Sequence, residues 1–272
     1  MTQGSAPTTE LEFLSNVLDF YASLMCFAGS EGLSGSEPGL GGRLLYAGSL
    51  DGEIRALVVA ANISGAATLS ASADPAAGRQ AIRDGVVDFA VTTLDEALRI
   101  LKNELRKGEA VAVCVGATPE TLEAEMRERG VAPDLIPART GDAAALAQDL
   151  APAARRVDRL PVAENQALVT WSVAGAAPQW LPRLDALALA CLDADAWIEH
   201  RWLRLAPRFL GRMVRGLHAL RCDPAAAERF LKRIKLADLR CELGVPVEVA
   251  ITRKGLTERH RFSPAGPPRR TA

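Results

Sequence analysis

The stretch from Arg43 to Ala138 constrains this chain more than any other feature. Five short apolar segments, RLLYAGS, ATLSASAD, DFAVTT, AVAVCVG and PDLIPA, alternate with four longer segments of helical period, DGEIRALVVAANISG, PAAGRQAIRDG, LDEALRILKNELRKG and TPETLEAEMRERG. Short runs of Val, Ala, Leu and Ile without alternation are strands buried on both faces, and parallel strands need a helix-length crossover between them. The expected class is therefore α/β, a mostly parallel sheet with helices on both faces. An amino-terminal helix precedes it, and a carboxy-terminal helical region ending in a β-hairpin follows.

The chain has 272 residues, of which 49% are hydrophobic and 24% charged, the balance of an ordinary globular protein. The expected divisions are 1–42, an amino-terminal helix with a Gly/Ser-rich connection; 43–192, the sheet domain; 193–262, a helical appendage with the terminal hairpin; and 263–272, a Pro-rich disordered tail. The start, MTQGSAPTTE, lacks the basic and apolar parts of a secretion signal, and no apolar run reaches bilayer length, so a cytoplasmic protein is expected. Cys26, Cys114, Cys191, Cys222 and Cys241 are odd in number and widely spaced, which points to buried reduced thiols rather than disulfides or zinc. With only His200, His218 and His260, no metal site is expected, and each histidine reads as a surface, strand or interface residue.

Thr9-Glu10-Leu11-Glu12 has the pattern of a capping box opening the first helix. The connection 28–42, AGSEGLSGSEPGLGG, fits a plain linker, and also a lid closing over a ligand; composition favours the linker. Beyond Ala138, GDAAALAQDLAPAARR reads as helical and Ala167 to Val173 as a sixth strand. Trp171 and Trp180 could stack a flat ligand, although core packing is the commoner use of such residues. From Ile198 to Leu220 apolar residues recur every three or four positions, so one amphipathic helix, or two kinked at Pro207, is expected. A row of arginines, Arg201, Arg204, Arg208, Arg212 and Arg215, lies on its neighbouring face.

Residues 196–272 carry 17 Lys and Arg against 7 Asp and Glu, while 1–42 carry five acids and no base. The arginine row reads as a solvated face, as a partner for those acids in this chain or a second subunit, or, least of the three, as a phosphate or nucleic-acid surface. Nucleic acid is accordingly not the expected partner; a homo-oligomer and a small-molecule ligand are.

Gly48 and Gly52 flank the turn from the first strand into the first crossover helix, where backbone amides of Gly48, Ser49, Asp51 and Gly52 would suit a phosphate. Asp51 and Glu53 would face that anion, and Asp51 reads better as the helix N-cap. Asp74, after the second strand, is placed to bond a ribose or to cap a helix whose first residue is Pro75; the cap is preferred.

Several pieces of this stretch resemble one family. Ala47-Gly48, Asp74-Pro75, Gly85-Val86-Val87-Asp88, Leu94-Asp95-Glu96-Ala97-Leu98, Gly116 with Glu120, and Arg129-Gly130-Val131-Ala132-Pro133-Asp134 are similar, in order and spacing, to the Rossmann-like nucleotide domain of urocanase, the urocanate hydratase of histidine breakdown. The resemblance covers about 43–140. It implies a bound NAD acting as electrophile toward urocanate, phosphate contacts around Gly48 to Gly52, and Gly116 lining the pocket. The family's run of glycines after the first strand is here Ser49 to Arg55 with Gly52 alone, Ser72 stands where the family has an acid, and Arg139 to Ala144 keep little of the polar segment after the fifth strand. No catalytic residue can be named. The expected function is a divergent urocanase-like protein, non-catalytic, binding a small ligand or acting as a homo-oligomeric scaffold. An NAD-dependent hydro-lyase acting on urocanate or a related imidazole acid is the alternative, and nucleic-acid binding the weaker one.

Overall fold

The computed structural model describes residues 10–30, 39–138, 152–210 and 212–263. Thr9 of the capping-box reading, most of the Gly/Ser-rich connection, Arg139 to Ala144 and the Pro-rich tail after Ser263 lie outside them. The described chain divides into two units, the first comprising Met1–Leu160 with Arg208–Met213, the second Pro161–Pro207 with Val214–Ala272.

In the first unit, helix α1 (Glu10–Ser30) is followed by β1 (Leu44–Ser49), α2 (Ile54–Ser64), β2 (Ala67–Ala71), α3 (Pro75–Asp84), β3 (Phe89–Val91), α4 (Leu94–Lys107), β4 (Ala112–Val115), α5 (Pro119–Glu128), β5 (Leu135–Pro137) and β6 (Arg155–Val157). The six strands form one sheet in the order β3-β4-β2-β1-β5-β6, with every pair parallel. Strand β6 falls in the stretch expected to be helical. With only three residues, two of them arginines, it carries no apolar run to announce it.

Successive side chains of the central strands alternate between two covered faces. Leu44, Tyr46, Leu69, Val113, Val115 and Ile136 join Leu94, Leu101 and Leu122 of α4 and α5 in one core layer. On the opposite face lies α2, buried from Ala56 through Ser64, which is why it is apolar on all sides. Leu57, Val58, Val59 and Ile63 are wholly removed from water, each worth about 1.5–3 kcal/mol.

Helix α1 packs on α2 through Leu14, Val17, Leu18, Tyr21, Leu24 and Met25, all buried. By length and composition α1 would suffice to cross a membrane, contrary to the sequence expectation, but half of it is covered within this unit.

The amino ends of the strands are pinned by carboxylates. Asp134 accepts from the Leu44 amide at 2.8 Å and from Arg43 at 2.9 Å, and Asp88 accepts from the Ala112 amide at 2.8 Å. At Gly41 an added Cβ would stand 2.8 Å from the Gly108 carbonyl oxygen, so only glycine fits where the entering chain crosses the end of α4.

The second unit contains β7 (Ala167–Val173), α6 (Ala177–Leu189), most of α7 (Trp197–Leu210), β8 (Leu217–Cys222), α8 (Pro224–Leu239), β9 (Val247–Arg253) and β10 (Leu256–Phe262). Its sheet is antiparallel, in the order β10-β9-β7-β8. The strand expected as sixth in the parallel sheet is thus β7 of this second sheet, and the terminal hairpin β9-β10 is two of its four strands. Buried Ala167, Val169 and Trp171 alternate with half-buried Leu168, Thr170 and Ser172, the signature of a sheet covered on one face. The division between units falls at 160/161 rather than at 192.

Candidate functional site at the carboxyl edge of the parallel sheet

In open α/β sheets, ligands bind beyond the carboxyl ends of the strands where the strand order reverses. Here the chain leaves β1 toward β2, β3 and β4 on one side and returns as β5 on the other, so the reversal lies at β1 and β5. The carboxyl edge gathers Ser49 of β1, Ser72 after β2, Thr92 after β3 and Gly116 after β4.

Strand β1 is irregular at this end. Its pairing with β2 shifts between Tyr46 and Gly48, and Gly48 has φ 74°, a left-handed conformation that a side chain would strain. Leu50 continues the pairing by donating to the Ala71 carbonyl at 2.8 Å. The turn then tightens, with the Asp51 amide donating to the Ser49 carbonyl and the Ile54 amide to the Asp51 carbonyl.

Asp51 is not the N-cap that sequence suggested. Glu53 occupies that position, in helical conformation and with no side-chain cap bond, because left-handed Gly52 (φ 36°) delays the helix start. Asp51 remains exposed, and the Glu53 carboxylate meets Arg159 at 2.6 Å on the surface. Arg55, the nearest cation in sequence, is held by Asp84.

Asp74 is the N-cap of α3, its carboxylate accepting from the Ala76 amide at 2.8 Å with Pro75 at the helix start. The Ser72 hydroxyl donates to the Asp74 carbonyl at 3.2 Å. The Gly116 amide is taken by the Val91 carbonyl at 2.8 Å, and a Cβ at Gly116 would make only ordinary contact at 3.5 Å. Gly48, Ser49 and Gly116 therefore do share one edge, flanked by Asp51 and Asp74. Asp51 is exposed at this turn, and Arg55 and Arg159 are already paired with Asp84 and Glu53, whereas a pyrophosphate wants free amides and cations. The turn as built does not fit the NAD phosphates.

Cys114 lies in β4 and is buried; burial pushes its thiol up, which keeps it protonated and a poor nucleophile. Cys191 and Cys222 are also buried, the latter pushed up to about 12 chiefly by burial, while Cys26 and Cys241 are exposed, contrary to the expectation for all five. Among the described residues, no group of three or more His, Cys, Asp or Glu side chains could hold a metal ion.

The arginine row does not form one face. Helix α7 ends at Leu210, and Leu217 and Leu220 belong to strand β8. Arg212 donates to the Ile82 and Arg83 carbonyls at 3.1 and 3.3 Å, satisfying the end of α3. Arg208 stacks on Phe209, and Arg215 is exposed. In the second unit the described ion pairs of this basic region go to local acids, as in Arg253 with Glu228 and Arg259 and Arg261 with Glu248.

Sequence reasoning missed two buried polar groupings. The Tyr46 hydroxyl donates to Glu123 Oε1 at 2.9 Å, with both residues buried between β1 and α5. In the second unit the Trp171 indole donates to Asp185 Oδ1 at 3.0 Å, and His218 Nδ1 lies 2.8 Å from the same oxygen. His218 is thus a half-buried core partner rather than a surface residue, and Trp171 is core, whereas Trp180 is half-buried beneath Arg183. Neither grouping has a local sequence signature, since its members are separated by 77 and 33 positions.

Residues 28–162 match the family model described as the urocanase Rossmann-like domain. The match spans all six parallel strands, so the sheet and its carboxyl edge are the part of this chain that is similar to that domain.

Proposed function

We propose that this chain is a urocanase-related protein whose Rossmann-like domain no longer performs hydration and serves instead to bind a small ligand or to scaffold a homo-oligomer. The observation that carries this reading is the β1–α2 turn. It carries an exposed carboxylate, Asp51, beside the helix start, and its cations Arg55 and Arg159 are already paired with Asp84 and Glu53. Placing a phosphate beside the Asp51 carboxylate, with these cations already paired, costs more than the few backbone amides return. Asp74 is committed to capping α3, and Gly116 to the Val91 carbonyl. The acidic edge suits a neutral or cationic polar ligand. Exposed Leu236 and Leu239 on α8, beside Lys232 and Lys235, support association with a second copy.

One observation favours the hydro-lyase reading. Glu123 is a buried carboxylate on the helix that begins just past the carboxyl end of β4, and the Tyr46 phenol fixes it, an arrangement able to hold or deliver a proton.

Denaturing the purified protein and weighing the released small molecules by mass spectrometry separates the two readings. The expected result is no NAD and no loss of urocanate absorbance on incubation. Stoichiometric NAD with urocanate consumption sinks the non-catalytic reading.

A further inference from the structure

A cavity of about 690 Å³ opens at the opposite, amino edge of the parallel sheet, beside edge strand β3 and the second half of α4. All its lining residues belong to the first unit. Its volume is in the range of small-molecule sites.

Two of its cations, Arg99 and Arg208, make no hydrogen bond and no ion pair within 4 Å among the described residues. Its two acids are engaged. Asp88 accepts from the Ala112 amide at 2.8 Å, and Glu104 is held by Lys107 at 2.8 Å and Asn103 at 2.7 Å, bonds that keep its carboxyl below the usual range. The cavity therefore offers two exposed guanidinium groups with donors to spare, Arg99 feeling only the Asp95 carboxylate one turn back, while each of its own carboxylates already accepts a hydrogen bond.

Its other lining is aromatic and apolar. Phe89 is 47% exposed, unusual for a phenylalanine on a strand, and Phe209 is half-buried with the Arg208 guanidinium carbon 5.3 Å from its ring centre. Ile100 and Val111 provide an apolar floor. A flat ring can lie on exposed phenylalanine and on guanidinium planes, and an anionic substituent can take the forked donors.

We infer that this cavity is a binding site for a small planar aromatic anion, one ring system carrying a phosphate or carboxylate, distinct from the carboxyl-edge site. The arginine row thus has its ligand-facing member in Arg208, paired with an arginine of α4 that sequence spacing could not bring to it. Phosphate and carboxylate share the recognition, so the test uses one probe of each kind, AMP and 2-naphthoate, with ribose 5-phosphate as the anion lacking an aromatic ring.

Isothermal titration of the full chain is expected to show saturable binding of AMP or 2-naphthoate and at least about tenfold weaker binding of ribose 5-phosphate. Arg99→Gln and Arg208→Gln should each weaken the bound probe about tenfold, as loss of a charged donor does, and Phe89→Ala should weaken it by a similar factor. Lys102→Gln, on α4 but outside the lining, should leave it unchanged, and far-UV circular dichroism confirms that each variant is folded. The inference is overturned if neither aromatic probe binds, if ribose 5-phosphate binds as well as AMP, or if binding survives both arginine substitutions in folded protein. None of these outcomes depends on whether NAD is released from the carboxyl edge.

Discussion

The two sheets handle polar groups in opposite ways. In the parallel sheet the strands are covered on both faces, so most polar chemistry is driven to their ends: Asp88, Arg43 and Asp134 at the amino edge, Ser49, Ser72 and Gly116 at the carboxyl edge. Small hydroxyls such as Thr68 and Ser70, Asn62 of α2 and the Tyr46–Glu123 pair are the polar side chains that enter the layers among the described residues. In the antiparallel sheet one face is open, and a charged group sits under the covered face instead, where Asp185 of α6 accepts from Trp171 and lies against His218. A sheet buried on both sides offers ligands its edges; a sheet buried on one side can hold polar networks in its middle.

The sharpest way to break this contrast is Asp185→Ala. It leaves the buried Trp171 indole N–H without its acceptor and should cost about 3 kcal/mol, near the upper end for a lost buried charged bond. All four tryptophans, Trp171, Trp180, Trp197 and Trp202, belong to the second unit, so urea unfolding followed by tryptophan fluorescence reads the loss there. A loss below about 1 kcal/mol would mean that water already satisfies the network.

Asp134→Ala tests the other half of the comparison. Its carboxylate is about a third exposed, at 34%, so water can replace part of what is lost at the Leu44 amide. The expected cost is about 1–2 kcal/mol, read by far-UV circular dichroism in urea. A cost equal to that of Asp185→Ala would erase the distinction between an edge pin and an interior network.

The smallest effect concerns Glu199 of α7. Burial is the main cause holding its carboxyl above the ordinary range. A raised folded-state value means that the folded protein binds this proton more tightly than the unfolded chain does. The associated stability is complete below the unfolded value and is lost as pH rises through the folded one. At neutral pH the ionised group is a burden, so Glu199→Gln should raise stability by up to about 1 kcal/mol at pH 7. That gain should shrink toward zero as pH falls below about 4, where both states of the parent are protonated. Urea midpoints measured across that range check the sign.

The same contrast explains what could be read from the chain. Strands β1, β4 and β5 are legible as short apolar runs, and β2 as an apolar run interrupted only by the small hydroxyls Thr68 and Ser70, because both faces are buried; the helices between them are legible because Asp74, Thr93 and Thr118 cap them locally. Strand β7 shows the alternation of a one-sided sheet in Ala167, Val169 and Trp171, a period of two that argues against the parallel sheet it was expected to extend. Strand β6, as Arg155-Arg156-Val157, exists only because β5 offers it a partner, a long-range cause with no local pattern. The apolar spacing predicts a longer helix than α7 because Met213, Leu217 and Leu220 continue it by coincidence, across two glycines in the sequence. At the candidate site, the residues at the strand ends were legible and their hydrogen bonds were not. Whether Asp51 or Glu53 caps α2 turns on the φ of Gly52.

The short segment Arg208–Met213, which counts with the first unit although the second surrounds it in sequence, governs how the protein can be dissected. A fragment cut after Leu160 keeps every strand of the parallel sheet but loses the Arg212 guanidinium from the Ile82 and Arg83 carbonyls at the end of α3. Expression boundaries drawn from strand content alone would therefore leave the end of α3 with its Gly85 cap but without the Arg212 side chain that covers it. A circularly permuted or loop-spliced design that carries this hexapeptide along is the form in which the first unit can be isolated intact.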